Sequence, residues 1–154
     1  MAAKNGKGNR PVRILVVDDE ADILSVLKKG LEREGFIVDT SANPLDVLQA
    51  YSPGSYDLLL LDIRMPQLNG FELYRKIREI DRKARVCFIT AFEIYYDEFR
   101  RVFPKIPVSC FIQKPITTSQ LAQAIREELV RPILEEDEPA IRKIRQKESE
   151  ARGP

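Results

Sequence analysis

The sequence predicts an α/β fold in which a parallel five-stranded sheet is covered by helices on both faces. Short apolar runs typical of buried strands alternate with segments whose apolar residues recur at helical spacing. Two of these runs end in acidic residues, Asp18-Asp19-Glu20 and Asp62. Because open α/β sheets place their sites at the carboxyl ends of strands, the same pattern predicts a functional site at that edge.

The predicted elements follow one another in strict alternation. Apolar runs define the strands, while helical spacing together with Gly and Pro breakers defines the helices. In chain order, strands are predicted over 13–18, 36–40, 56–62, 85–90 and 108–113, and helices over 23–35, 44–51, 70–80, 93–103 and 121–131, the last ended by Pro132.

The chain divides into one domain with an extension at each end. Residues 1–11 form a basic Gly/Asn/Lys arm without periodicity, which we expect to be flexible. Residues 12–130 form the folded domain. Residues 131–154 are a charged tail in which Ile141 and Ile144 are the main apolar pair after Pro139. We expect a solvated tail, either helical or disordered, in which any helix begins near Pro139; the alternative is a docking or dimerisation helix.

Composition excludes several classes of protein. The 25 Lys and Arg nearly cancel the 24 Asp and Glu, so the net charge of +1 gives no general attraction to nucleic acid or membrane. The absence of histidine excludes His-ligated zinc and Ser-His-Asp or Cys-His catalysis. Cys87 and Cys110 lie in apolar segments and are predicted to be buried thiols. With no signal peptide and no membrane-spanning run, we expect a cytoplasmic protein.

Each candidate site residue is unspecific when taken alone. Acids at 18–20 suit the start of a helix, Asp62 suits a turn, and Thr90 is a β-branched residue in a strand. Lys114-Pro115 is equally consistent with a solvated lysine before an ordinary proline. Together, however, they end the first, third, fourth and fifth predicted strands, so one edge of the sheet would gather them all.

Three carboxylates in one crevice require a counterion. Asp18, Asp19 and Asp62 would repel one another there, and a hard divalent cation relieves that repulsion. Mg²⁺ prefers oxygen ligands and keeps coordination positions for water or phosphate. The pattern therefore predicts a Mg²⁺ site, with Mn²⁺ as the alternative ion.

A carboxylate beside such an ion is also suited to phosphoryl transfer. It can attack a phosphoryl group and form an acyl phosphate, and Asp62 is the best candidate nucleophile. The Lys114 ammonium and the Thr90 hydroxyl are placed to bind phosphoryl oxygens, and Ala91 leaves room for access.

These segments resemble the receiver domain of two-component response regulators over about residues 12 to 130. Val16-Val17-Asp18-Asp19-Glu20 resembles the acidic pair of the first strand. The phosphoacceptor motif, D-x-x-M-P-x-x-x-G, resembles Leu61-Asp62-Ile63-Arg64-Met65-Pro66-Gln67-Leu68-Asn69-Gly70. Phe88-Ile89-Thr90-Ala91 and Phe111-Ile112-Gln113-Lys114-Pro115 resemble the Thr and Lys segments. The resemblance implies a flavodoxin-like (βα)5 three-layer sandwich with strand order 2-1-3-4-5.

The resemblance also implies roles for individual residues. Asp18, Asp19, Asp62 and the backbone carbonyl of Arg64 would bind Mg²⁺. Asp62 would accept a phosphoryl group from the phosphohistidine of a sensor kinase or phosphotransfer protein. The Lys114–Pro115 peptide would be cis. The only reactions catalysed would be the chain's own phosphorylation and dephosphorylation.

The family's mechanism is a two-state switch. A phosphoryl group would draw the Thr90 hydroxyl inward, beside Ala91 and Lys114, and vacate space for Phe111, although Phe111 is equally suited to a buried strand position. The resulting repacking would reach the predicted helix over 93–103. The candidate partner surface there comprises Tyr95, Tyr96, Phe99, Arg100 and Phe103. Arg64 and Phe92 stand where a side chain could obstruct attacking water, which predicts slow hydrolysis of the phosphorylated state.

Three functional classes remain open. The first is a stand-alone regulator, like the single-domain chemotaxis regulators, that binds an unknown protein target; residues 131–154 show no helix-turn-helix pattern, so no direct nucleic-acid binding is expected. The second is a phosphorelay intermediate or phosphate sink. The third is a phosphorylation-independent scaffold, which the complete set of acidic, Thr and Lys residues disfavours. In each case we expect a monomer or a weak homodimer.

Overall fold

The computed structural model describes residues 10–91, 97, 100, 101, 104 and 111–132. In this part of the chain, a five-stranded parallel sheet has the order β2-β1-β3-β4-β5. Its strands are β1 (Arg13–Val17), β2 (Ile37–Ser41), β3 (Leu58–Asp62), β4 (Val86–Thr90) and β5 (Phe111–Gln113). The helices are α1 (Ala21–Arg33), α2 (Pro44–Ala50), α3 (Gly70–Ile80) and α4 (Thr118–Leu129). The predicted fold class and strand order are confirmed.

The central strands are buried on both faces. Every residue of β3 and β4 is buried, and only the first residue of β1 is exposed. Continuous apolar runs are typical of parallel strands with helices on both sides, so these short segments form strands despite lacking alternation. Edge strand β2 carries exposed and half-buried residues.

Two apolar layers fill the space between the sheet and its helices. On one face, Phe88 of β4 packs edge-on against Phe71 and Tyr74 of α3, at ring-centroid distances of 5.0 and 5.7 Å. On the other face, apolar residues of α1 and α4 pack against the remaining side chains of β1, β3 and β4. The sheet is thereby packed against helices on both faces.

Side-chain caps set where α3 and α4 begin at the carboxyl edge of the sheet. Asn69 and Glu72 form a reciprocal capping box at the start of α3, and Thr117 and Gln120 form another at α4. The carboxyl end of α1 is followed by Gly35, which has a φ of 96° and ends the helix where the sequence predicted.

Charged side chains form hydrogen bonds at the opposite pole of the sheet, the edge where its strands begin. The Arg10 guanidinium donates to both carboxylate oxygens of Asp57, at 2.7 and 3.2 Å. Arg85 donates to the backbone carbonyl of Glu128 near the end of α4, at 2.7 Å.

Among the described residues, no helix combines the length and the apolar character needed to cross a bilayer.

Candidate functional site

Three carboxylates converge at the carboxyl edge of the sheet. Asp18 and Asp19 follow β1, and Asp62 ends β3, the strand that pairs beside β1. One oxygen from each carboxylate lies within 4.8 Å of the other two. Asp18 and Asp62 are buried, with 1% and 6% of their surface exposed, while Asp19 is exposed. The strand-end argument therefore placed these side chains correctly.

Asp18 is fixed from three directions. Its backbone N–H donates to the Ser41 carbonyl at 3.2 Å, and one carboxylate oxygen accepts from the Glu20 N–H at 2.9 Å. The other carboxylate oxygen accepts from the Lys114 ammonium at 3.2 Å. Glu20 precedes α1 and makes no capping bond with its side chain. Helix capping alone thus does not explain the acidic run.

The ends of β4 and β5 bring the remaining predicted residues to the same edge. Thr90 is fully buried, and its carbonyl accepts from the Lys114 N–H at 2.8 Å. The next residue, Ala91, is exposed. The Lys114–Pro115 peptide bond is cis. Phe111 is half-buried and packs against the same apolar layer as Phe88.

The loop between β3 and α3 is tightly folded. The Gly70 N–H donates to the Ile63 carbonyl at 2.9 Å, which closes the loop. Inside it, the Leu68 N–H donates to the Pro66 carbonyl at 2.8 Å around Gln67, whose φ of 72° is uncommon for a side-chain-bearing residue. A cleft of about 370 Å³ beside this loop is lined by Ile63, Arg64, Met65, Pro66 and Asn69.

The crevice raises the pKa of Asp62 to about 6, well above its ordinary value. Burial is the largest cause, and the negative charge of Asp18 adds to it. The Lys114 ammonium and a hydrogen bond from the Arg64 backbone N–H act in the opposite direction. At neutral pH, Asp62 is therefore ionised but destabilised, a state that a nearby cation relieves.

The donor set fits a hard divalent cation. Its three side chains offer only carboxylate oxygens, the ligands that Mg²⁺ and Mn²⁺ prefer. Asp19 is exposed, which keeps the crevice open to solvent. The residues present thus match the ion that the sequence predicted.

Part of the predicted partner surface lies outside the described residues, and so do Phe92 and Cys110. Of that surface, the structure describes only Arg100, which is exposed. Its other members lie outside the described residues: Tyr95, Tyr96, Phe99 and Phe103.

Two positioning contacts were missed by the sequence analysis. The Ser41 carbonyl holds the Asp18 backbone, and Gly70 lies against the carbonyl of Asp62. A backbone carbonyl leaves no signal in the residue type of position 41. Gly70 belongs to the segment that resembles the phosphoacceptor motif, but the sequence does not predict its close approach to Asp62, because that neighbour in space is set by the loop closure.

Comparison with known proteins identifies the same module. Residues 14–126 match the family model of the response regulator receiver domain. Among curated proteins, an uncharacterised transcriptional regulatory protein of Bacillus subtilis, YkoG, is 34% identical over 116 residues, covering 75% of this chain and 50% of its own. The transcriptional regulatory protein PcoR of Escherichia coli is 33% identical, covering 74% of this chain and 50% of its own. The chain thus spans about half the length of the curated relatives it matches.

Solved structures show the same architecture. The response regulator TrrA from Thermotoga maritima, in complex with Mg²⁺-BeF, aligns with a TM-score of 0.64 at 31% identity, covering 77% of this chain and 99% of that one. The non-phosphorylated receiver domain of HemR from Leptospira biflexa aligns with a TM-score of 0.67 at 28% identity, covering 79% and 98%.

Proposed function

This chain belongs to the response regulator receiver family, and we propose that it accepts a phosphoryl group on Asp62 and thereby controls a protein partner. It is a signalling module rather than a conventional enzyme. The donor in this proposal is the phosphohistidine of a sensor kinase or phosphotransfer protein in the cytoplasm.

The convergence of charges at one sheet edge is the observation that carries the proposal. Asp18, Asp19 and Asp62 place carboxylate oxygens within 4.8 Å of one another. The Lys114 ammonium lies 3.2 Å from Asp18, so a cationic side chain borders the same crevice. A site that must bind both a metal ion and a phosphoryl group needs carboxylates for the ion and a cationic side chain for the phosphoryl oxygens.

Asp18, Asp19, Asp62 and the carbonyl of Arg64 would hold Mg²⁺ or Mn²⁺. When bound, the ion neutralises the carboxylates and the phosphoryl oxygens. The TrrA structure supports this assignment, since that relative was crystallised in complex with Mg²⁺-BeF.

The chemical step assigned to Asp62 is attack by one carboxylate oxygen on the phosphorus of the phosphohistidine. A P–O bond forms as the P–N bond breaks, and the partner's imidazole leaves with the electron pair of that bond. Because the pKa of Asp62 lies near 6, most molecules carry the nucleophilic carboxylate at neutral pH. Lys114 would shift from Asp18 toward the new phosphoryl oxygens, a short movement for a flexible side chain.

The readout is proposed to run through Thr90, Ala91, Lys114 and Phe111. Thr90 and Lys114 are joined by a backbone hydrogen bond, so movement at one strand end is felt at the other. Phe111 is half-buried beside the apolar layer, and this leaves it room to change its packing. The partner surface predicted around Arg100 would report that change.

Arg64 and Phe92 are proposed to slow hydrolysis of the acyl phosphate. Arg64 lines the cleft beside the loop that follows Asp62, which supports its part of the proposal. Loss of the phosphoryl group should be faster in Arg64→Asn and in Phe92→Ala than in the wild type. Unchanged rates in both variants would contradict this assignment.

We propose that the receiver acts alone by binding a protein target. A second arrangement, a receiver attached to a DNA-binding module, is favoured by the relatives, which are transcriptional regulators about twice as long as the matched region. Pull-down with and without beryllofluoride separates target binding from a role as a phosphate sink, because a sink has no partner that depends on the modification.

Intact-mass measurement after incubation with acetyl phosphate and Mg²⁺ tests the proposed function. The wild-type protein should gain the mass of one phosphoryl group, and Asp62→Ala should gain none. Asp46→Ala is the matched control, because Asp46 is an exposed acid in the first turn of α2. A wild-type protein that stays unmodified, or an Asp62→Ala protein that is modified equally, would contradict the proposal.

A further inference from the structure

Gly70 lies so close to the backbone of Asp62, the proposed phosphoacceptor, that no side chain would fit at position 70. An ideal Cβ at Gly70 would lie 2.4 Å from the backbone carbonyl oxygen of Asp62 and 3.1 Å from both the Asp62 carbonyl carbon and the Ile63 Cα. Gly70 does not have a positive φ, in contrast to Gly35 and Gly54. Its requirement is therefore for space and not for an unusual backbone conformation.

Both sides of this contact are firmly held. Strand β3 pairs with β1 on one side and with β4 on the other. Helix α3 is anchored by buried Phe71, Tyr74 and Ile77. A methyl group at position 70 would therefore displace the connection between them, which comprises the Asp62–Ile63 peptide and the loop to Asn69.

We infer that Gly70 is a positioning residue for the metal and phosphoryl site. Its missing side chain allows the start of α3 to close against the end of β3, which sets the Asp62 carboxylate and the Arg64 carbonyl at one fixed separation. The Gly70 N–H contributes directly, because its bond to the Ile63 carbonyl closes the loop that carries Arg64. This inference rests on the proposed function of Asp62.

The size of the effect follows from the geometry. Relieving a 2.4 Å approach to an ordinary separation of about 3.0 to 3.4 Å requires a shift of roughly 0.6 to 1.0 Å. Mg²⁺ demands near-ideal octahedral distances, with a tolerance of about 0.2 Å. We expect Gly70→Ala to weaken Mg²⁺ binding by at least about tenfold and to slow phosphorylation by about 10 to 100-fold.

Two other glycines provide matched controls. A Cβ at Gly30 would meet the side chain of Thr118, where α1 packs against α4, and would therefore strain a helix contact and not the loop between β3 and α3. Gly54 has φ 80° and nothing within 4 Å of an added Cβ, so Gly54→Ala strains only the backbone. Both substitutions should lower stability while leaving Mg²⁺ affinity within about twofold of the wild type.

The experiment measures Mg²⁺ affinity by calorimetry, the rate of phosphorylation by acetyl phosphate, and urea stability for all three variants. We expect Gly70→Ala to lose more Mg²⁺ affinity than Gly30→Ala or Gly54→Ala. We also expect Gly70→Ala to be at least as stable in urea as these two controls. Helix propensity alone predicts that alanine at this helix position is neutral or stabilising. Gly70→Ala protein with Mg²⁺ affinity and phosphorylation within twofold of the wild type would overturn the inference.

A second pair of variants keeps the test decisive if Gly70→Ala folds poorly. Gln67→Gly relaxes the φ of 72°, so the loop can move to accommodate a methyl group at position 70 and the chain can still fold. The double variant Gly70→Ala/Gln67→Gly should bind Mg²⁺ at least tenfold more weakly than Gln67→Gly alone, and equal affinities would refute the role of Gly70. Since Mg²⁺ affinity is read without phosphorylation, a wild-type protein that binds Mg²⁺ but takes up no phosphoryl group would contradict the proposed function instead.

Discussion

Replacing Asp62 with asparagine is expected to stabilise the metal-free protein at neutral pH, even though it removes the proposed phosphoacceptor. Burial and the charge of Asp18 raise the pKa of Asp62 to about 6. The ionised carboxylate therefore costs folding free energy, whereas an asparagine amide of nearly the same shape carries no charge.

The magnitude follows from the shift itself. The pKa rises from 3.8 to about 6, and each unit corresponds to about 1.4 kcal/mol. The full shift is worth about 3 kcal/mol, and solvent in the open crevice reduces it, so we expect a stabilisation of about 1 to 3 kcal/mol at pH 7.5.

The sign of the pH dependence is fixed by the direction of the shift. The folded state binds the Asp62 proton more tightly than the unfolded chain does. The free energy of unfolding contributed by this group is therefore highest below about pH 4, falls as pH rises to about 6, and stays low above that. At pH 4.5 the difference between variant and wild type should shrink to about a third of its value at pH 7.5.

Urea unfolding followed by far-UV circular dichroism, in EDTA at pH 7.5 and 4.5, measures these differences; the chain has no tryptophan for fluorescence. Asp57→Asn is the control, because Asp57 accepts hydrogen bonds from Arg10 and from the Arg13 backbone at the opposite pole. That variant should be less stable than the wild type by about 0.5 to 2 kcal/mol. An Asp62→Asn protein no more stable than wild type at pH 7.5, or a difference that does not narrow at pH 4.5, would refute the reasoning.

Three further substitutions test other parts of the structure. Lys114→Ala should strengthen Mg²⁺ binding about two- to tenfold in calorimetry, because the ammonium competes for Asp18; equal or weaker binding would contradict this competition. Phe88→Ala removes a fully buried ring that packs edge-on against two others, and should cost about 3 to 5 kcal/mol in urea unfolding; a loss below about 1 kcal/mol would contradict the packing. Thr117→Ala should cost about 0.5 to 2 kcal/mol by removing the cap of α4, and full stability would show that the cap is not needed.

Much of the fold could be predicted because the sheet is buried on both faces. An uninterrupted run such as Leu58–Asp62 has few alternatives to a central parallel strand. Boundaries moved by one to three residues where burial ends gradually, as in β2, predicted over 36–40 and observed over Ile37–Ser41. The order of strands came from the family resemblance, since local periodicity carries no information about which strands are neighbours.

The site was predictable as a set of strand ends but not as a set of contacts. Asp18 and Asp62 converge because parallel strands end at one edge, which the sequence pattern contains. The Lys114–Asp18 ion pair joins groups 96 residues apart, and the raised pKa of Asp62 depends on burial that exists only in the folded chain. The close approach of Gly70 likewise appears only once α3 has closed against β3.

Locating the modified residue tests the central claim most directly. After incubation with acetyl phosphate and Mg²⁺, borohydride reduces an aspartyl phosphate to homoserine, and peptide mass spectrometry then identifies its position. We predict homoserine at position 62, with loss of the signal when Mg²⁺ is chelated before phosphorylation. Homoserine at another position, or labelling that persists without the metal ion, would contradict the assignment of Asp62 as the Mg²⁺-dependent phosphoacceptor.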